Sequence, residues 1–244
     1  MIKLYACDLD GTLLPRGERR LTSSLENKIK AVMTEGAAFA VISGRDYPSL
    51  RRIIDFKTDD VYYVCCGGSV CVKGGKTLYS RPVSAESVLL AIKMAKKSGR
   101  GLVLCSDKTV YVYGSAEFVS FVKGMYGDDA VEIHCNRGVL TPVYKISFYG
   151  EGETLLPTAA SGLKLFYNRN GWEEYVSRTA GKAEALTDLM MRLGIFASGV
   201  VAAGDDTCDV PMLKKAGKAF ALTREAACES GAEYITSPES IFVK

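Results

Sequence analysis

Two short stretches of this 244-residue chain carry carboxylates at spacings that could do chemistry. Asp8 and Asp10 flank Leu9 in Asp-Leu-Asp-Gly-Thr, and Asp205, Asp206 and Asp209 follow Gly204. Two acids one residue apart admit three readings: metal ligands, an acid/base pair, or a turn whose Asp side chains bond local backbone amides. Asp205 and Asp209 are four residues apart, so a helical turn would aim them the same way. Such crowded negative charge is unfavourable unless a cation or hydrogen-bond donors offset it, and hard carboxylate oxygens suit Mg2+ better than softer metals. The plainer alternative is an Asp N-cap with solvated neighbours. Two further groups could hold an anion. Ser43-Gly44-Arg45 offers a hydroxyl and backbone N–H groups, with Gly44 allowing close approach. Lys182 opens an apolar-periodic segment, where an ammonium sits poorly against the helix dipole and calls for an anionic neighbour.

The elements that must position these groups are legible from periodicity. Residues 2–7 form a short apolar run suited to a buried strand, and Gly11 permits the sharp turn after it. Leu25, Ile29, Val32 and Met33 recur at helical spacing, with Thr22 or Ser23 as N-cap and Gly36 past the end. Residues 37–42 are the next buried strand, which makes a right-handed βαβ unit and carries Ser43 at its carboxyl end. A helix over 47–54, a strand over 61–65 and a hairpin turning at Gly74-Gly75 follow. From Pro82 the pattern changes to helices over 85–97 and 116–125, and to short strands near 101–105, 110–113, 131–134, 143–149 and 163–168. No strand end in that region carries acids like those at residue 8. The helix opened by Lys182 runs through Leu193, and strands near 200–203, 219–222 and 234–236 complete the chain. In an open α/β sheet ligands gather at the carboxyl ends of strands, where the motifs at Asp8, Ser43 and Asp205 fall.

Composition sets the outer bounds. Apolar residues make up 48% and charged residues 24%, as in soluble globular proteins, and no run approaches the roughly 20 apolar residues of a membrane span. An acidic motif as early as residue 8 comes too early for a signal peptide to be expected, and a cytoplasmic protein is the expectation. Eight cysteines form no Cys-x-x-Cys pair and there is a single histidine, so reduced, buried thiols are expected rather than a zinc cluster or a disulfide framework. A net charge of +3 is dispersed, without the aromatic-laced basic stripe of a nucleic-acid binder. His134 reads as a structural or surface residue. Tyr111, Tyr113, Phe118 and Phe121 read as core of the middle region.

Taken in order, the motifs resemble those of the haloacid dehalogenase-like phosphatases, in the Cof-type branch. The resemblance implies an α/β fold, a Rossmann-like parallel-sheet core (residues 1–80 and 179–244) with an inserted α/β cap domain (81–178) that closes over the site and selects substrates. It further implies that Asp8 is the nucleophile and Asp10 the general acid/base, with Ser43, Gly44 and Lys182 gripping phosphate. Mg2+ would be bound by Asp8, Asp205 and the Asp10 carbonyl, with Asp209 in support; the role of Arg45 is open. Three positions depart from the family pattern: Cys66 and Cys208 stand where Asn is usual, and Ala183 replaces a Gly. The activity implied is Mg2+-dependent hydrolysis of small phosphate esters, such as sugar phosphates, through an aspartyl-phosphate. A phosphomutase or phosphotransferase of the same superfamily, or a catalytically degenerate phosphate-binding protein, are the alternatives. No nucleic-acid or membrane partner is expected, and the oligomeric state is not set by these features.

Overall fold

The computed structural model describes residues 2–56, 59–106, 109–127, 130–134, 139, 142–152, 155–156 and 162–242. Its first part runs β1 (Leu4–Cys7), α1 (Ser23–Thr34), β2 (Ala38–Ile42), α2 (Tyr47–Ile53), β3 (Tyr62–Cys65), β4 (Val70–Lys73) and β5 (Lys76–Ser80). The middle is α3 (Ala85–Ser98), β6 (Gly101–Cys105), β7 (Val110–Tyr113), α4 (Ala116–Tyr126), β8 (Val131–Glu132), β9 (Lys145–Tyr149), β10 (Leu163–Arg169) and β11 (Trp172–Ser177). The last part is α5 (Lys182–Leu193), β12 (Val200–Gly204), α6 (Val210–Leu213), β13 (Lys218–Ala221), α7 (Arg224–Ser230) and β14 (Glu233–Tyr234).

Two sheets result. The first has the order β14-β13-β12-β1-β2-β3-β4-β5, parallel from β14 through β3 and antiparallel over β4 and β5. Its central strands are apolar on both faces because helices cover both. Leu4, Ala6, Ile42 and Ala202 pack with Leu186 and Leu189 of α5, while Tyr5, Phe39, Val41 and Val201 pack with Leu25, Ile29 and Val32 of α1. The α1 start is fixed by Thr22, whose hydroxyl accepts the Leu25 N–H at 3.2 Å. Cys7 pairs with Val41 on one side and with Ala203 on the other, so β1, β2 and β12 end side by side. That alignment puts the loops carrying Asp8, Ser43 and Asp205 at one edge.

The second sheet, the cap, has the order β10-β11-β9-β6-β7-β8. Ile146 and Phe148 of β9 point to the face covered by Val88, Ala91 and Ile92 of α3, so Lys145 and Ser147 lie on the opposite face. The periodicity of the sequence missed β11, which pairs with both β10 and β9. Its adjacent Glu173 and Glu174 hide the alternation, because both carboxylates are paired inside the cap: Glu173 with Arg100 at 2.7 Å and Glu174 with Lys145 at 2.7 Å. β8 is shorter than expected and ends before His134, which is exposed. Tyr111 and Phe118 are buried in the cap, whereas Phe121 is largely exposed. The seven described cysteines are all free thiols, five of them buried.

Candidate active site

Asp8 sits one residue beyond β1, and its N–H still bonds the Ala203 carbonyl at 2.9 Å, so the sheet itself orients the side chain. Lys182, the first residue of α5, donates from Nζ to Asp8 Oδ1 at 2.7 Å and to Asp209 Oδ1 at 2.6 Å. Asp8, Lys182 and Asp209 are all buried. Asp209 does not reach the site by helical spacing from Asp205. Residues 207–209 form a tight 3-10 turn instead, and Asp209 Oδ2 turns back to accept the N–H groups of Asp205 at 3.2 Å and Asp206 at 3.1 Å. Both Asp209 oxygens are therefore engaged, which suits a supporting role.

Asp205 is held from three directions. Thr12 Oγ1 and Arg16 Nη2 each donate to its carboxylate at 3.4 Å, and the Thr223 hydroxyl donates to its main-chain carbonyl at 2.5 Å. The loop of the first motif lies against it so closely that a Cβ on Gly11 would stand 2.1 Å from Asp205 Oδ2, at a φ of +82°. Only glycine meets both demands. Sequence reasoning assigned no role to Thr12, Arg16 or Thr223; the first belongs to the motif itself, and the other two carry no spacing signal.

Ser43 is buried after β2, with its hydroxyl accepting the Arg45 N–H at 3.2 Å. Its loop is laced to the end of β3: the Gly67 N–H bonds the Ser43 carbonyl at 2.9 Å, and the Cys66 N–H bonds the Arg45 carbonyl at 2.8 Å. Arg45 makes a two-pronged bond to Asp10, at 2.8 Å to Oδ2 and 2.7 Å to Oδ1. This hydrogen bonding raises the guanidinium pKa still further. Asp10 is thus positioned by Arg45, a role the sequence left open.

Asp8, Asp10, Ser43, Gly44, Arg45, Lys182, Asp205, Cys208 and Asp209 all line one cleft of about 940 Å³. The cap closes it with Lys145, Phe166 and Glu174, none of which sequence reasoning singled out. For Lys145 and Glu174 the available signal was a charge in the inward register of a cap strand, indistinguishable in the sequence from a solvated face.

Electrostatics define what the cleft can hold. Burial works against the Lys182 charge, yet Asp209 and Asp8 outweigh it and hold its pKa well above that of a free lysine. Burial pushes the Asp8 carboxyl well above the usual carboxylate range; Lys182 pulls it down, while Asp209 and Asp205 add to the rise. Asp205 is raised in the same way, by burial and then by Asp209. Asp8, Asp205 and Asp209 bring oxygens within 4.8 Å of one another, with the Lys182 ammonium on Asp8 and Asp209 and the exposed Arg16 guanidinium on Asp205. A surplus of hard, buried anionic oxygens fits a divalent cation such as Mg2+. The Cys208 thiol, also pushed up by burial, is a poor competitor for it.

Comparison with known proteins agrees with this geometry. The family model of the haloacid dehalogenase-like hydrolases matches residues 5–236. The chain belongs to that family, and within it to the Cof-type phosphatases. It is 24% identical over 233 residues to the 5-amino-6-(5-phospho-D-ribitylamino)uracil phosphatase YbjI of Escherichia coli, a match covering 91% of this chain and 85% of the relative. It is also 24% identical over 242 residues to phosphoglycolate phosphatase 1 of Saccharolobus solfataricus, covering 98% and 91%. Among solved structures, a haloacid dehalogenase-like hydrolase from Bacteroides thetaiotaomicron superposes with a TM-score of 0.83 at 21% identity, covering 99% of this chain and 98% of that one.

Proposed function

We propose that the protein is a Mg2+-dependent phosphomonoester hydrolase that acts on small phosphorylated metabolites through an aspartyl-phosphate on Asp8. The observation that carries this reading is the buried contact of Lys182 with both Asp8 and Asp209, at 2.7 and 2.6 Å. It keeps a nucleophilic carboxylate oriented at a strand end, beside a fixed positive charge able to stabilise phosphoryl oxygens. Ser43 and the backbone at Gly44 bind the phosphoryl group from the other side. Asp10 donates a proton to the leaving oxygen and then takes one from the attacking water, oriented between the steps by Arg45. Asp8, Asp205 and the Asp10 carbonyl would hold Mg2+, whose charge would shield the approach of an anionic ester to an anionic nucleophile. Asp209 anchors Lys182 and the loop of Asp205. In this reading residues 1–80 and 179–244 carry the chemistry, and residues 81–178 choose the organic group.

The test is covalent trapping. Asp8→Asn should lose turnover by several orders of magnitude and form no acid-stable phosphoenzyme, while its circular dichroism matches the parent. Turnover at the parent's rate would refute the mechanism.

A further inference from the structure

The cap wall above the phosphate loop carries an ion pair with an unusual division of labour. Lys145 and Ser147 alternate onto one face of β9, and Glu174 of β11 stands directly opposite Ser147 in the strand register. Glu174 Oε1 accepts from Lys145 Nζ at 2.7 Å and from Ser147 Oγ at 3.1 Å. Glu174 Oε2 has no protein partner among the described residues. That oxygen and Lys145 Nζ both lie 4.0 Å from where a Cβ on Gly44 would stand, so they face the phosphate loop. The pair is nearly dry, with the Lys145 side chain 4% exposed and that of Glu174 14%. Taking two charges out of water costs about as much as their attraction returns, so stability alone gives no reason to keep them on a cleft wall.

We infer that Lys145, Ser147 and Glu174 form a subsite that reads a neutral hydroxyl on the substrate's first carbons beyond the phosphate ester. The inference rests on the phosphatase reading and deepens it. A hydroxyl both donates and accepts: its O–H can bond Glu174 Oε2 while its oxygen accepts from a remaining N–H of Lys145. A carboxylate at the same place offers no donor and sets a second negative charge against Glu174. The favoured leaving group is therefore a polyhydroxylated, uncharged one, and an ester of the phosphoglycolate type is disfavoured. Phe166, which would lie 3.0 Å from a Cβ on Gly67, walls the same space and limits its water.

Four esters test this with the full chain and Mg2+: glycerol phosphate, hydroxypropyl phosphate lacking the middle hydroxyl, phosphoglycolate, and p-nitrophenyl phosphate. The expected kcat/KM for glycerol phosphate exceeds that for each of the next two by about 10- to 100-fold, the range set by one hydrogen bond to a charged group. Glu174→Gln and the apolar pair Lys145→Met with Glu174→Leu should each bring the glycerol-to-hydroxypropyl ratio towards one. If neither variant folds, the parent's ratios decide. Turnover of p-nitrophenyl phosphate with ratios near one overturns the subsite and leaves the phosphatase reading standing. Failure to turn over any of the four overturns both.

Discussion

At the scale of single residues, the site is an excess of buried acid around one lysine, and that excess has a consequence for stability. The folded pKa values of Asp8 and Asp205 are raised, so between an ordinary carboxylate pKa and those raised values the folded state binds more protons than the unfolded one. The contribution of these groups to stability is then present at low pH and lost as pH rises through the folded values. Lys182 is raised as well, but its contribution is lost only at strongly alkaline pH, above the unfolded lysine value. Without metal, raising the pH from about 5 to about 8 should therefore lower Tm through Asp8 and Asp205; Asp205→Asn should reduce that fall, and so should millimolar Mg2+. Thermal melts with and without chelator check this, and an identical pH dependence in parent and variant would contradict it. Asp8, Asp205, Ser43 and Lys182 were legible in the sequence because each stands at a strand or helix end, whereas Asp209 arrives through a 3-10 turn and not by the helical spacing the sequence suggested. Arg16 and Thr223 were not, since they reach Asp205 only through the fold.

Among the elements, the hairpin of β10 and β11 has most to do with the cleft and was the least visible in the sequence. Arg169 pairs with Trp172, so the turn is the two residues Asn170 and Gly171, both at positive φ, +54° and +77°. An Asn-Gly pair in that conformation is a strong local hairpin signal, and it was masked by the two glutamates that follow. A register shift between Leu165 and Tyr167 leaves Phe166 as the extra residue, and a bulge of this kind re-aims a side chain, here to the core loop at Gly67. Gly171→Ala should cost about 1 to 2 kcal/mol, the cost of placing a Cβ in the left-handed region, and Tyr149 Cε2 at 3.4 Å adds crowding. Urea unfolding reads that loss directly; an unchanged midpoint would mean that the turn relaxes to a conformation open to alanine. Lys145 and Glu174 were hidden for a related reason: a charge in the inward register of a strand reads as an outward face until its partner strand is known.

On the scale of the whole molecule, the two sheets share one apolar seam. Cys66 and Val70 of the first part lie in the same buried cluster as Val103, Cys105, Val110 and Val122 of the cap, and Trp172 packs against that cluster. Arg52 of α2 also crosses the seam, donating to the Tyr126 carbonyl at the end of α4 at 2.9 Å. Separating the layers would expose this surface, and exposing buried apolar area costs roughly 25 cal/mol per Å². The cap and core should then unfold together. Trp172 is the only tryptophan and stands in the cap, so its fluorescence follows the cap while far-ultraviolet circular dichroism follows both sheets. The two probes should give coincident urea midpoints. Mg2+ tests the coupling more sharply, because the acids that would hold it all lie in the first sheet's loops, whereas Trp172 opens β11 of the cap. Stabilisation by a ligand of the folded state spreads to every part that unfolds with its site. Added Mg2+ should thus move the fluorescence midpoint as far as the dichroism midpoint; a fluorescence transition that comes first and ignores the metal would show that the cap opens independently of the core.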